Sequence, residues 1–189
     1  MTGRMTGVRE QRKGGLYTPQ ERARRDATVW TLVQGILAPV QFIVFLVSLF
    51  FVVRFLITGQ GFEVAVGSII IKTLILYTIM ITGSIWEKVV FGQYLLAPPF
   101  FWEDMVSFLV LALHTAYLGA LVFGWLSPTG QMVLALAAYA AYVINAAQFL
   151  LKLRAARKQG EQENMARTKA CGDSPRNASG DASGLEFAR

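Results

Sequence analysis

The sequence predicts an all-α, polytopic membrane protein: a bundle of four transmembrane helices. Three observations carry this. Of 189 residues, 54% are hydrophobic and only 16% charged, with a mean hydropathy of +0.44. The apolar residues gather into four runs, at about 30–57, 64–85, 105–126 and 132–153, each near the ~20 residues a helix needs to cross a bilayer. Charged residues flank these runs more than they interrupt them. A helix satisfies its own backbone polar groups in lipid, whereas an open sheet does not.

The chain divides into a basic polar segment (1–28), a four-helix membrane domain (29–157) and a polar tail (158–189) expected to be disordered, because it is rich in Ser, Gly, Asn and Asp and has no apolar period. Residues 1–28 lack an apolar stretch of the kind a signal peptide carries. The net charge of +6 does not point to nucleic acid, since Arg4, Arg9, Arg12, Lys13, Arg22, Arg24 and Arg25 precede the first run and Lys152, Arg154, Arg157 and Lys158 follow the last. By the positive-inside rule both ends are expected in the cytoplasm, which requires an even number of spans. The single cysteine, Cys171, lies in the tail and matches no metal-binding spacing.

Each run carries one polar stripe. In the first, Gln34, Gln41 and Ser48 recur every seven residues, and Pro39 predicts a kink. In the second, Thr73, Tyr77, Ser84 and Glu87 fall near one face, and residues 86–96 extend the helical pattern until Pro98-Pro99 ends it. Lys72, inside this run, is expected to snorkel outward. In the third, Glu103, Ser107, Val110, His114 and Tyr117 step by four and three; in the fourth, Tyr142, Asn145 and Gln148 share a face. Polar groups avoid lipid, so the stripes should converge inside the bundle.

The stretch 86–104, WEKVVFGQYLLAPPFFWED, joins the second and third runs and is the first place to look for chemistry. It holds Glu87, Glu103 and Asp104, and carboxyls in unlike environments can divide the roles of general acid and general base. The plainer alternatives are a surface pair with Lys88 for Glu87 and helix-end electrostatics for Glu103 and Asp104. His114, the one histidine, lies ~16 Å along its helix from Glu103; it is either a proton donor or acceptor or a neutral side chain bonded to a neighbouring helix. Trp86, Tyr94, Phe100, Phe101 and Trp102 form an interfacial belt or a wall for a flat apolar ligand. The residues alone leave two readings open: a membrane enzyme doing acid–base chemistry on a lipophilic substrate, or a non-catalytic assembly or pigment-handling protein.

The runs RARRDATVWTLVQGILAPVQF (22–42), IWEKVVFGQYLLAPPFFWED (85–104), ALHTAYL (112–118) and AAYAAYVINAAQFL (137–150) resemble the 3-vinyl, formerly 2-vinyl, bacteriochlorophyllide hydratase family of phototrophic bacteria, over about 17–157. The resemblance implies a hydro-lyase of bacteriochlorophyll biosynthesis that adds water across the C3 vinyl group of a chlorophyllide-type ring, giving a 1-hydroxyethyl group. No redox cofactor is implied, and the magnesium belongs to the substrate. It also implies a bacterial inner (intracytoplasmic) membrane, lipid surroundings and contact with other pigment-biosynthesis enzymes. A non-catalytic pigment-binding or photosystem assembly protein is the alternative. For this reaction Glu87 or Glu103 is expected as acid, with the other carboxylate or His114 activating water and Asp104 orienting. His114 is also a candidate axial ligand to the substrate magnesium. Trp86, Lys88, Tyr94, Trp102 and Tyr117 are expected at the substrate, with Lys88 or Arg25 holding its propionate.

Overall fold

A computed structural model describes residues 16–172. Five helices follow one another in this range: α1 (Pro19–Ala27), α2 (Val29–Thr58), α3 (Phe62–Phe91), α4 (Phe101–Phe123) and α5 (Pro128–Gly172). The last four are long and apolar enough to cross a membrane. Helix α1 is short and polar, and it is set by a capping box: Thr18 N–H donates to Glu21 at 2.8 Å, while Glu21 N–H donates to the Thr18 hydroxyl at 3.3 Å. Thr28 ends α1 and caps α2 through its side chain, so the surface helix turns directly into the first span.

Short connections make antiparallel hairpins of α2 with α3 and of α4 with α5. Gly59, with φ 71°, closes α2 in the left-handed conformation that glycine adopts without penalty. Gln34 meets Thr82 and Ser48 meets Ser68, which fixes the α2–α3 register. Ser107 meets Asn145 and Glu103 meets Lys152, which fixes that of α4–α5. The hairpins join along α2 and α5, whereas α3 and α4 touch only sparsely. Phe45, Val52, Ile69, Leu76, Val110, Tyr117, Tyr139 and Tyr142 fill the centre. Ala135, Ala138 and Ala141 on α5 let the backbones approach. Ile36, Phe50, Ile71, Leu109, Val122 and Leu150 point outward, as lipid contact requires. Four crossings place both ends of the described chain on one side, called here the terminal side.

The expected stripes do face inward: Gln41 and Ser48, Thr73, Glu103 through Tyr117, and Tyr142 with Asn145 are all buried. Two boundaries and one side chain differ from expectation. Helix α3 continues beyond 85 as expected but stops at Phe91, where Gly92, φ 86°, caps it short of the prolines expected to end it. Helix α5 continues through Gly172, although 158–172 was assigned to the disordered tail. The lack of an apolar period rules out a packed face but not a helix: Ala, Arg, Lys, Gln and Glu are good helix formers, and the apolar span has already supplied the nucleus. Residues 173–189 and 1–15 lie outside the described range. Lys72 does not snorkel; it is completely buried.

Four crossings give a direct expectation. In a background without Cys171, cysteines placed at Thr129 and at Gly160 should react with an impermeant thiol reagent from opposite faces of sealed vesicles. Labelling of both from one face would contradict the four-span arrangement.

Candidate active site

The terminal side of the bundle holds a carboxyl cluster built by the end of α3, the connector 92–100 and the first turn of α4. Glu87 sits in the last turns of α3, and Glu103 and Asp104 in the first turn of α4, where the positive end of the helix dipole favours negative charge. The connector aims backbone donors at them. Leu96, with φ 59°, is the one non-glycine residue in the left-handed region among the described residues. That conformation is costly for a side chain of this size. It turns successive N–H groups to one side: Leu96 N–H donates to Asp104 Oδ2 at 2.7 Å and Ala97 N–H to Glu87 Oε2 at 3.2 Å. Such a concavity of amides suits an anion.

The Glu87 and Asp104 side chains also hydrogen-bond each other. Two carboxylates are acceptors only, so this bond requires a proton held between them. Asp104 accepts the shorter backbone bond, and the hydrogen bond from Glu87 favours its charged form, while the neighbouring Glu103 charge opposes it more than Lys152 assists it. The negative charge therefore rests on Asp104 and the proton on Glu87. Glu103 turns away from Glu87 and pairs with Lys152 of α5 at 2.5 Å. The expected Glu87–Glu103 couple is thus replaced by Glu87–Asp104, because residues 103 and 104 point about 100° apart on their helix.

Aromatic rings pack beside the carboxyls. Phe100 lies 5.7 Å from Trp86 and is stacked on Phe149 at 6.1 Å, while Tyr17 stacks on Phe91 at 5.8 Å. Trp86 Nε1 donates to the Thr31 hydroxyl at 2.9 Å, which pins α3 to α2. Tyr94 and Trp102, expected against the substrate, are 60% and 72% exposed and form part of the outer belt. Lys88 donates to the Gly92 carbonyl at 3.0 Å and covers the Tyr94 ring; Arg25 pairs with Asp26 and covers the Tyr17 ring.

A second polar centre lies deep in the bundle. His114 Nδ1 bonds the Val110 carbonyl at 2.8 Å, so it carries the ring hydrogen, and Nε2 accepts from Lys72 at 2.6 Å. Lys72 Nζ lies 4.4 Å from the Tyr142 ring and 5.0 Å from that of Tyr139, a cation–π arrangement. Tyr139 bonds Ser48, which bonds Ser68. Tyr117 is fully buried, and its hydroxyl has no partner among the described residues. Lys72 is fifteen residues from Glu87, ~22 Å along α3, so His114 and the carboxyl pair are separate centres. With both ring nitrogens engaged, His114 offers no lone pair to a substrate magnesium in this arrangement.

Sequence pattern put Glu103 and His114 on the inward stripe, Glu87 at the mouth of the bundle and Asp104 at the helix end in an orienting role, but missed the inward turn of Lys72, Lys152 and the Leu96–Ala97 amides. Lys152 had a legible signal, since it continues the Asn145–Gln148 face by one turn. The amides had none, because a positive φ at leucine is imposed by the fold.

A four-span helical bundle with a proton-sharing carboxyl pair at one end defines an integral membrane protein equipped for acid–base chemistry. The chain belongs to the 2-vinyl bacteriochlorophyllide hydratase family, whose profile matches residues 17–155. It is 69% identical over 150 residues to the 2-vinyl bacteriochlorophyllide hydratase of Rhodobacter capsulatus, covering 79% of this chain and 86% of that protein. It is 68% identical over 143 residues to the protein of the same name from Cereibacter sphaeroides, covering 75% and 88%. No solved structure matches it.

The deep pair carries its own test. His114→Leu should destabilise the bundle by about 1–3 kcal/mol or more, because it strands a buried amine. The double variant Lys72→Met/His114→Leu should recover much of that loss. Thermal unfolding in detergent, read as a double-mutant cycle, decides; a double variant no more stable than His114→Leu alone would show that the pairing is not what holds Lys72.

Proposed function

We propose that this protein hydrates the C3 vinyl group of a bacteriochlorophyllide-type pigment, and that Glu87 and Asp104 carry the proton transfers. The observation behind this reading is that both carboxyls accept from the adjacent Leu96 and Ala97 amides, which holds them within hydrogen-bond reach of each other. One protonated carboxyl and one carboxylate, adjacent and buried, are the two groups that hydration of an activated alkene needs.

In the proposed sequence Glu87 delivers its proton to the terminal vinyl carbon. Positive charge develops on the carbon next to the ring, where the macrocycle delocalises it. The oxygen of a water molecule bonds to that carbon, and a proton of the water passes to Asp104. The pair is then charged in the opposite sense, and transfer along its own hydrogen bond restores the starting state. The Leu96 and Ala97 amides hold the two carboxyls in place and bias the resting proton toward Glu87. Glu103 and Lys152 form the adjoining ion pair. The reaction is redox-neutral, and the pigment's magnesium travels with the substrate. The sparse α3–α4 seam suits lateral passage of a flat, lipid-soluble ring. We place the chain in the bacterial inner membrane with both ends, and hence the carboxyl cluster, in the cytoplasm. The basic residues around 22–25 and 152–158 motivate that orientation.

Purified protein mixed with a vinyl-bearing chlorin should give a product heavier by one water. Glu87→Gln and Asp104→Asn should each lower that rate by roughly 10²-fold or more, with chlorin binding retained. Chlorin binding without hydration by the unaltered protein would favour a pigment carrier. Near-normal turnover in both variants would remove the pair from the mechanism.

A further inference from the structure

Among the interior polar atoms with no partner among the described residues, beside those of Tyr117, Gln131 and Gln148, are both amide atoms of Gln41 and the side-chain oxygen of Asn145. Gln41 is 1% exposed and Asn145 8%. The packing of α2 against α5 brings them to one depth. Phe45 meets Tyr142 with ring centroids 4.9 Å apart, and Ser48 meets Tyr139 one turn deeper. One turn from Phe45 toward the terminal side is Gln41. One turn from Tyr142 in the same direction, on a helix running the opposite way, is Asn145.

This depth adjoins the carboxyl cluster. Asn145 Nδ2 donates to Ser107 Oγ at 2.8 Å, and Ser107 follows Asp104 by three residues, ~4.5 Å along the axis. Gln148 Oε1, on α5 between Asn145 and Lys152, is a further acceptor without a partner among the described residues. Buried amides are rarely left unsatisfied, and several at one depth mark a place for a ligand that both donates and accepts. Gln41 supplies one donor and one acceptor, Asn145 an acceptor, and Ser107 a hydroxyl hydrogen left free by its bond from Asn145. A water molecule matches that set, and these groups could give it the three bonds typical of a buried water.

We propose that Gln41, Asn145 and Ser107 hold the water that adds to the vinyl group, one helical turn inside the Glu87–Asp104 pair. This rests on the hydratase reading above and extends it by naming where the second substrate waits. These are positioning residues. They fix the water oxygen for attack on the cationic carbon while its proton leaves toward Asp104.

The test uses the full chain in lipid nanodiscs with a vinyl-bearing chlorin. Gln41→Leu and Asn145→Leu, which keep the side-chain volume, should each cut turnover at saturating chlorin by roughly tenfold to a hundredfold and leave chlorin affinity unchanged. Gln41→Asn should regain part of the rate. An independent measurement needs no turnover: radiolysis in isotope-labelled water should oxidise buried Tyr142 in the unaltered protein, and much less so in Gln41→Leu. Full turnover in both leucine variants, with Glu87→Gln inactive, would overturn the water site and spare the carboxyl pair. Normal turnover in Glu87→Gln would instead reject the carboxyl pair, and the labelling alone would then judge the site. Should the leucine variants fail to fold, protection of Tyr142 in the unaltered protein overturns the proposal, and its oxidation supports it.

Discussion

A side chain inside the bilayer has no bulk water to bond, so a polar group there is driven to find its partner within the bundle. That constraint orders this bundle. Gln34 reaches Thr82, Trp86 reaches Thr31, Ser48 reaches Ser68 and Tyr139, Lys72 reaches His114, and Asn145 reaches Ser107. Apolar packing between helices gains little in lipid, because acyl chains are as apolar as leucine. The polar pairs therefore do much of the work of fixing register, and the alanine face of α5 lets them close.

The same constraint separates a rigid region from a working one. The Lys72–His114 centre is enclosed by Tyr139 and Tyr142, with both imidazole nitrogens committed. It reads as a structural tie across the sparse α3–α4 seam. The terminal side differs: a strained leucine presents its amide to a carboxyl pair that must hold a proton, and an ion pair stands beside it. Strain of this kind persists only where surrounding structure enforces it, and it gathers at functional sites. Adding water to an alkene requires an acid and a base in reach of one substrate, which is the role proposed above for this pair.

Placing Asp104 rather than Glu103 opposite Glu87 changes the chemistry on offer. Glu103 is committed to its ion pair with Lys152. Asp104 is anchored by an amide and bonded to Glu87, the arrangement on which the proposed base and acid roles rest. The division between the two carboxyls arises from unequal backbone donors, not from residue type.

The sequence by itself determined the number of spans, the placing of both ends on one side, and the face each helix turns inward. Those features follow from hydrophobic period and charge placement, which are local and additive along the chain. It also put Glu103 and His114 on the inward face and Glu87 at the mouth of the bundle. Periodicity could not say which stripe meets which, because depth and rotation are settled only when four helices pack. Tertiary structure alone decided that Lys72 turns inward to His114 and that Asp104, not Glu103, shares a proton with Glu87. It also decided that Leu96 and Ala97 lend their amides to the pair. Each of these is a contact between elements distant in sequence or a backbone angle imposed by a connector, and residue spacing encodes neither.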